Sequence, residues 1–140
     1  RLCDSETALP LKGKQATFSC EQDLIRRILR HNPGVVGSNT TVKRACFMES
    51  AGYDPGIITG QDKALVLDLL NLGAQPARAS NGWVHFRIDV EGPRQTEIKK
   101  LVQGKRRFLT KYWYLMSISD RLFNSAQIFR LWLKQRVGGT

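Results

Sequence analysis

Apolar positions along the chain recur with two different periods. Over residues 20–31, Leu24, Ile25, Ile28 and Leu29 return every three or four residues, and Arg26, Arg27 and Arg30 fill the other face. That spacing predicts an amphipathic helix. Ser19 and Gln22 stand at capping-box distance, Glu21 and Asp23 suit the positive end of the helix dipole, and Asn32-Pro33-Gly34 ends the run. A second helix is predicted over 40–51, capped by Ser38 or Asn39 and closed by Gly52. Its apolar side would be Val42, Ala45, Cys46 and Met48. A third covers 61–72, with Thr59 as its cap and Gly73 as its stop. Leu65, Val66, Leu67, Leu69, Leu70 and Leu72 leave it only a narrow polar strip, so it should be largely buried.

The period then changes to two. Ser80-Asn81-Gly82 is a hairpin signal, after which Val84, Phe86, Ile88 and Val90 alternate with Trp83, His85, Arg87 and Asp89. Beyond Gly92-Pro93 the helical period returns through Ile98, Leu101, Val102, Lys105, Phe108, Leu109, Tyr112, Trp113 and Met116. This predicts a helix of about 24 residues with Pro93 in its first turn. Gly104 lies inside it and marks a kink or a close approach. Residues 117–120 break and recap the chain. A last helix runs to about residue 137, with Leu122, Phe123, Ala126, Phe129, Trp132 and Leu133 inward. The expected fold is therefore mainly α with a small β-hairpin, followed by two long C-terminal helices. Residues 1–18 form an N-terminal arm with a short strand near 16–18, 19–92 the first domain, and 93–140 a helical extension packed on it.

Charge adds the next layer. The 140 residues carry a net charge of +10, and the excess is not spread evenly. Residues 1–92 are nearly balanced, whereas 93–140 hold eleven Lys and Arg against only Glu97 and Asp120. Unrelieved like charges at three and four residues destabilise a helix, and solubility alone favours mixed signs. Segregation of this kind points to a polyanionic partner, DNA or RNA. Cys3, Cys20 and Cys46 are odd in number and widely spaced, as expected of reduced thiols. With no run of about 18 apolar residues and no signal-peptide pattern, the expected location is intracellular, and a membrane-spanning role is disfavoured.

Three helices followed by a hairpin is the element order of a winged helix-turn-helix. Residues 20–90 resemble that class in pattern: the stretch from Leu69 to Ile88 holds Leu72-Gly73, Arg78, Asn81-Gly82 and the alternating strand. Tandem helix modules of the LOTUS type look similar at this level. The resemblance implies a wing that touches a groove or backbone, here through Trp83, His85 and Arg87 with Arg78 beside them. It also implies a recognition helix, yet the third helix offers Lys63 and Asn71 beside Asp62 and Asp68. Sequence-specific duplex reading through it is therefore not expected.

The candidate contacts are consequently phosphate contacts. Lys99, Lys100, Arg106, Arg107 and Lys111 recur on one face of the long helix, with Lys105 supporting them. Arg78, Arg87 and Trp83 would contribute from the wing, and Arg26, Arg27 and Arg30 from the first helix. The competing assignment for each is an ordinary solvated surface. An alternative role is assembly, in which the last two helices form a homodimer core or meet an anionic membrane. No cofactor or metal is implied, because His31 and His85 lack ligand spacing and no phosphate loop, dinucleotide fingerprint or nucleophile elbow occurs. Asp54, Asp62, Asp68, Asp89 and Glu91 have the spacing of turns, caps and surface positions, so the chain is not expected to be an enzyme.

Overall fold

A computed structural model describes residues 20–78 and 98–137, with the backbone of residues 2–3 and 10–11. Strands β1 (Leu2–Cys3) and β2 (Pro10–Leu11) pair antiparallel, Leu2 opposite Leu11. The strand expected at 16–18 and the hairpin at 83–90 lie outside the described residues. The rest is helical: α1 (Glu21–Arg30), α2 (Arg44–Glu49), α3 (Gln61–Asn71), α4 (Ile98–Lys111) and α5 (Ile118–Val137). The arrangement of α1–α3 is that of a helix-turn-helix core, with α4 and α5 as two long, tightly packed C-terminal helices. No helix among the described residues is long and apolar enough to cross a membrane.

The helix α1 forms as its stripe requires, burying Leu24, Ile28 and Leu29. Its N-cap is Cys20, without a side-chain cap bond, and not Ser19. At its far end the Asn32 side-chain carbonyl accepts the backbone N–H groups of Gly34 and Val35, a local turn that stops the helix. In α3, Ala64, Leu65, Leu67, Leu69 and Leu70 are buried, while Leu72 has already left the helix and is exposed. The stop comes at Gly73, whose φ of +85° suits glycine. The Gly73 N–H donates to Leu70 O and the Ala74 N–H to Leu69 O, a Schellman closure. The N-cap is Gly60, also left-handed, and not Thr59.

Two expected helices are shorter than their apolar spacing implies. Only Arg44–Glu49 of residues 40–51 is α-helical, preceded by a 3₁₀ turn at Gly37–Asn39. Asn39 and Thr40 explain the loss. The Asn39 amide donates to Gly34 O and its carbonyl accepts the Val36 N–H, while the Thr40 hydroxyl donates to Val36 O. These bonds offer the backbone a local alternative to helix. Ala45 and Met48, expected inward, are exposed, and Phe47 is half-buried against Tyr53. The helix α4 ends at Lys111 rather than near Met116, and Trp113, expected inward, is half exposed. The cause is Tyr112, a fully buried ring whose hydroxyl lies 2.8 Å from Ala64 O and 2.9 Å from Asp68 Oδ1 on α3. Fixing it there turns the chain into a 3₁₀ turn at Trp113–Leu115.

The core joins α1, α3 and α4 through Leu24, Ile28, Leu29, Ile57, Leu67, Leu70, Phe108, Tyr112 and Met116. Gly104 lets α4 pass close to the segment before α3. A Cβ there would stand 2.5 Å from Thr59 Oγ1 and 3.0 Å from Thr59 N. The buried line of α5 differs from the expected one. Asn124 is buried, and its amide donates to Leu29 O at the end of α1 and to Asp120 O. Gln127, Ile128 and Leu131 are half-buried beside it. With that line fixed, Ile118, Leu122, Phe129 and Leu133 stand 75, 67, 57 and 41 % exposed. Leu122, Ala126, Phe129 and Leu133 therefore face outward, because α5 is apolar on several sides and the polar Asn124 selects which side is buried.

Candidate nucleic-acid interface

The structure splits the expected basic face of α4 in two. Neighbouring residues on a helix point about 100° apart, and Arg106 and Arg107 go separate ways. Arg107 turns toward the segment before α3, with its Nε 3.4 Å from Asp54 Oδ2. Lys111 follows it, 2.7 Å from Asp68 Oδ2 and 3.7 Å from Asp54 Oδ2. Burial alone would raise the Asp54 carboxyl; the Gly56 N–H and the charges of Arg107 and Lys111 outweigh it and hold the group below its usual value. Those two cations are thus spent largely on the protein itself.

Lys105 is drawn inward, where its ammonium donates to the Gln127 side chain across the α4–α5 contact. Burial lowers its pKa. Beside it, Lys63 lies over the Phe108 ring at 4.0 Å, and burial first, then the Lys105 charge, hold its pKa down to about 8. Lys63 thus contributes packing to the core, and α3 presents no exposed cation.

Arg106 turns the other way and lines an open groove with Leu109, Ser125, Ile128, Phe129 and Trp132. Lys99, two turns earlier, is exposed on the same side. Lys100, two turns before Arg107, is half-buried. On α5, Phe129 and Trp132 stack with centroids 5.8 Å apart and ring planes 23° apart. The Arg136 guanidinium stands 4.3 Å from the Trp132 ring. Arg130 and Lys134 are exposed on the same helix. The only acid in α4 and α5 is Asp120, which is already engaged by Arg30 and by the Ser117 hydroxyl and N–H. Burial would raise Asp120, but those Ser117 and Arg30 contacts together hold it low.

The three arginines of α1 are less available than their spacing implies. Arg27 pairs with Asp23 at 2.8 Å, and Arg30 with Asp120 and Ser119. Arg26 is exposed and has no carboxylate partner among the described residues. Arg78 is exposed beyond α3, whereas Arg87 and Trp83 lie outside the described residues. Sequence reasoning did not assign Phe129, Trp132, Arg130, Lys134 or Arg136 to the site. The signal for the cations was present, since the last 17 residues of α5 hold no acid. The aromatic pair was assigned to the core. Among the described residues no cluster of His, Cys, Asp and Glu could hold a metal ion.

No protein-family model, curated protein or solved structure matches this chain.

Proposed function

We propose that the chain is a nucleic-acid-binding protein, acting by binding rather than turnover, and that phosphates lie along the outer face of the α4–α5 hairpin. One observation carries this: Lys99, Arg106, Arg130 and Lys134 are exposed without a carboxylate partner among the described residues, on two helices whose single acid is engaged elsewhere. Lys100 extends the row, and Arg26 and Arg78 are peripheral contacts. Trp83 and Arg87 remain wing contacts by their place in the sequence. Such contacts position a nucleic acid without reading its bases. The test is fluorescence anisotropy of labelled DNA and RNA at about 50 and 200 mM salt. Four phosphate contacts imply a log–log salt slope of about −3.6 on duplex DNA and about −2.8 on a single strand. Absence of binding at the lower salt would refute the proposal.

A second role, assembly, is favoured by the exposed Ile118, Leu122, Phe129 and Leu133, whose spacings of four, seven and four put them on one ridge of α5. A homodimer through that ridge would halve its mass on Leu122→Glu with Leu133→Glu, as read by light scattering. An unchanged monomer mass for the unsubstituted chain would remove it.

A further inference from the structure

We infer that the groove between α4 and α5 is a platform for single-stranded nucleic acid, with bases stacked on Phe129 and Trp132 and phosphates held by Arg106, Lys99 and Arg136. This deepens, and rests on, the nucleic-acid-binding role proposed above.

Two observations select a single strand over a duplex. The helix α3, placed where a recognition helix would be, is buried on most of its surface and turns Lys63 under Phe108. It offers no cation to a major groove. The exposed cations of the hairpin sit beside the exposed Phe129 ring and the half-buried Trp132 ring instead, and in a duplex the base faces are already stacked on one another. An unpaired strand presents a π-face at every base, and arginines beside such rings supply the backbone contacts.

Geometry then assigns the parts. Phe129 and Trp132 form a near-parallel pair on the outer surface, with Arg136 continuing the row one turn further along α5. Arg106 faces them across the groove from α4, and Ser125 and Leu109 complete its wall. Charge decides the occupant. The groove's own cations, Arg106 and Arg136, would meet no free carboxylate on α4 or α5 of a second copy, whose single acid there, Asp120, is bound by Arg30. A homodimer would therefore meet along Ile118, Leu122 and Leu133 and leave the groove to the strand. A strand with one negative charge per nucleotide complements the groove along its length.

The test compares four probes on the whole chain by anisotropy or competition: a 12-nucleotide single strand, the matching duplex, the same strand with its central bases replaced by abasic sugars, and inorganic polyphosphate. Stacking of this kind is worth about 1–3 kcal/mol per base. Each stacked base should therefore make the single strand bind about 5- to 150-fold more tightly than its abasic form. Phe129→Leu with Trp132→Leu should erase that difference while leaving polyphosphate binding unchanged, and Arg106→Gln should weaken both. RNA and DNA versions of the strand should behave alike, because bases and phosphates carry the contacts. The abasic comparison uses the unsubstituted protein, so it decides the matter even if the double variant fails to fold. Equal affinity for intact and abasic strands, or for strand and duplex, would overturn the platform and leave the nucleic-acid-binding role standing. No binding to any of the oligonucleotides would overturn both.

Discussion

The helices α3 and α5 read alike in sequence and end in opposite situations. Both are apolar on several sides. In α3 that character is consumed: Ala64, Leu67 and Leu70 join the core with α1 and the Phe108–Tyr112 end of α4, and Leu65 and Leu69 are buried as well. In α5 only one line is buried, anchored by Asn124, and Ile118, Leu122, Phe129 and Leu133 remain outside. Their charges diverge as well. Around α3 each cation meets a carboxylate or a ring, as Lys111 meets Asp68 and Lys63 meets Phe108. Around α5, Arg121 and Arg136 meet aromatic rings, and the helix's one carboxylate, Asp120, is taken by Arg30. A helix that is apolar all round is thus either the centre of a fold or a surface kept for a partner, and the polar groups beside it tell which.

The sharpest way to break the comparison is to truncate equivalent leucines. Leu67→Ala in α3 should cost about 2–5 kcal/mol of unfolding free energy, whereas Leu122→Ala on the α5 ridge should stay within about 0.5 kcal/mol. Denaturant midpoints at constant slope would check it. Similar losses at both sites would mean that the ridge is covered.

Next in size is the buried amine of α3. Because the Lys63 pKa falls from 10.5 to about 8 on folding, the unfolded chain binds more protons between those values. Native stability contributed by this group should therefore rise with pH from about 8 toward 10.5, by as much as about 3 kcal/mol. Burial and then the Asp68 charge raise the Tyr112 pKa above its ordinary 10.0, so deprotonation in the unfolded chain should reverse the gain above pH 10. Lys63→Met should be more stable at pH 7 and lack the rise in a pH series of chemical denaturation curves.

Gly104→Ala tests the close passage of α4. Helix propensity alone would favour alanine by about 1 kcal/mol. The contact of the new Cβ with Thr59 should override that and give a net loss of about 1–3 kcal/mol, read as a lowered melting temperature. The smallest expected effect belongs to Asp54→Asn. It should cost no more than about 1 kcal/mol of stability. By releasing Arg107 from its partner it should also steepen the salt slope of oligonucleotide binding by about one.

Where local chemistry decides, the chain was readable. The α1 stripe, the Gly73 stop and the inward set of α4 from Val102 to Phe108 all follow from spacing and turn residues. Where two local rules compete, it was not. Asn39 and Thr40 are good caps and equally good rivals to a helix, and their bonds to Gly34 and Val36 shorten α2. On α5 the apolar spacing admits more than one buried line, and the choice rests on Asn124 meeting Leu29 O, a partner 95 residues away. The site divides in the same manner. Charge segregation marked the hairpin from composition alone. Which cations stay available did not follow, because Asp54 and Asp68 reach Arg107 and Lys111 only through the tertiary fold. Phe129 and Trp132 were hidden by the same ambiguity that misassigned the face of α5.

The most direct measurement compares two variants that lose the same charge from different places. Lys99→Gln with Arg106→Gln removes two exposed cations that lack carboxylate partners among the described residues, and Arg27→Gln with Arg107→Gln removes two that pair with Asp23 and Asp54. Affinity of each for a labelled single strand would be followed from about 50 to 200 mM salt. The first pair should lose affinity and reduce the salt slope by about 1.4, while the second keeps both nearly unchanged. Equal losses in the two variants would show that net charge alone attracts the strand, and would contradict a defined phosphate-binding face on the α4–α5 hairpin.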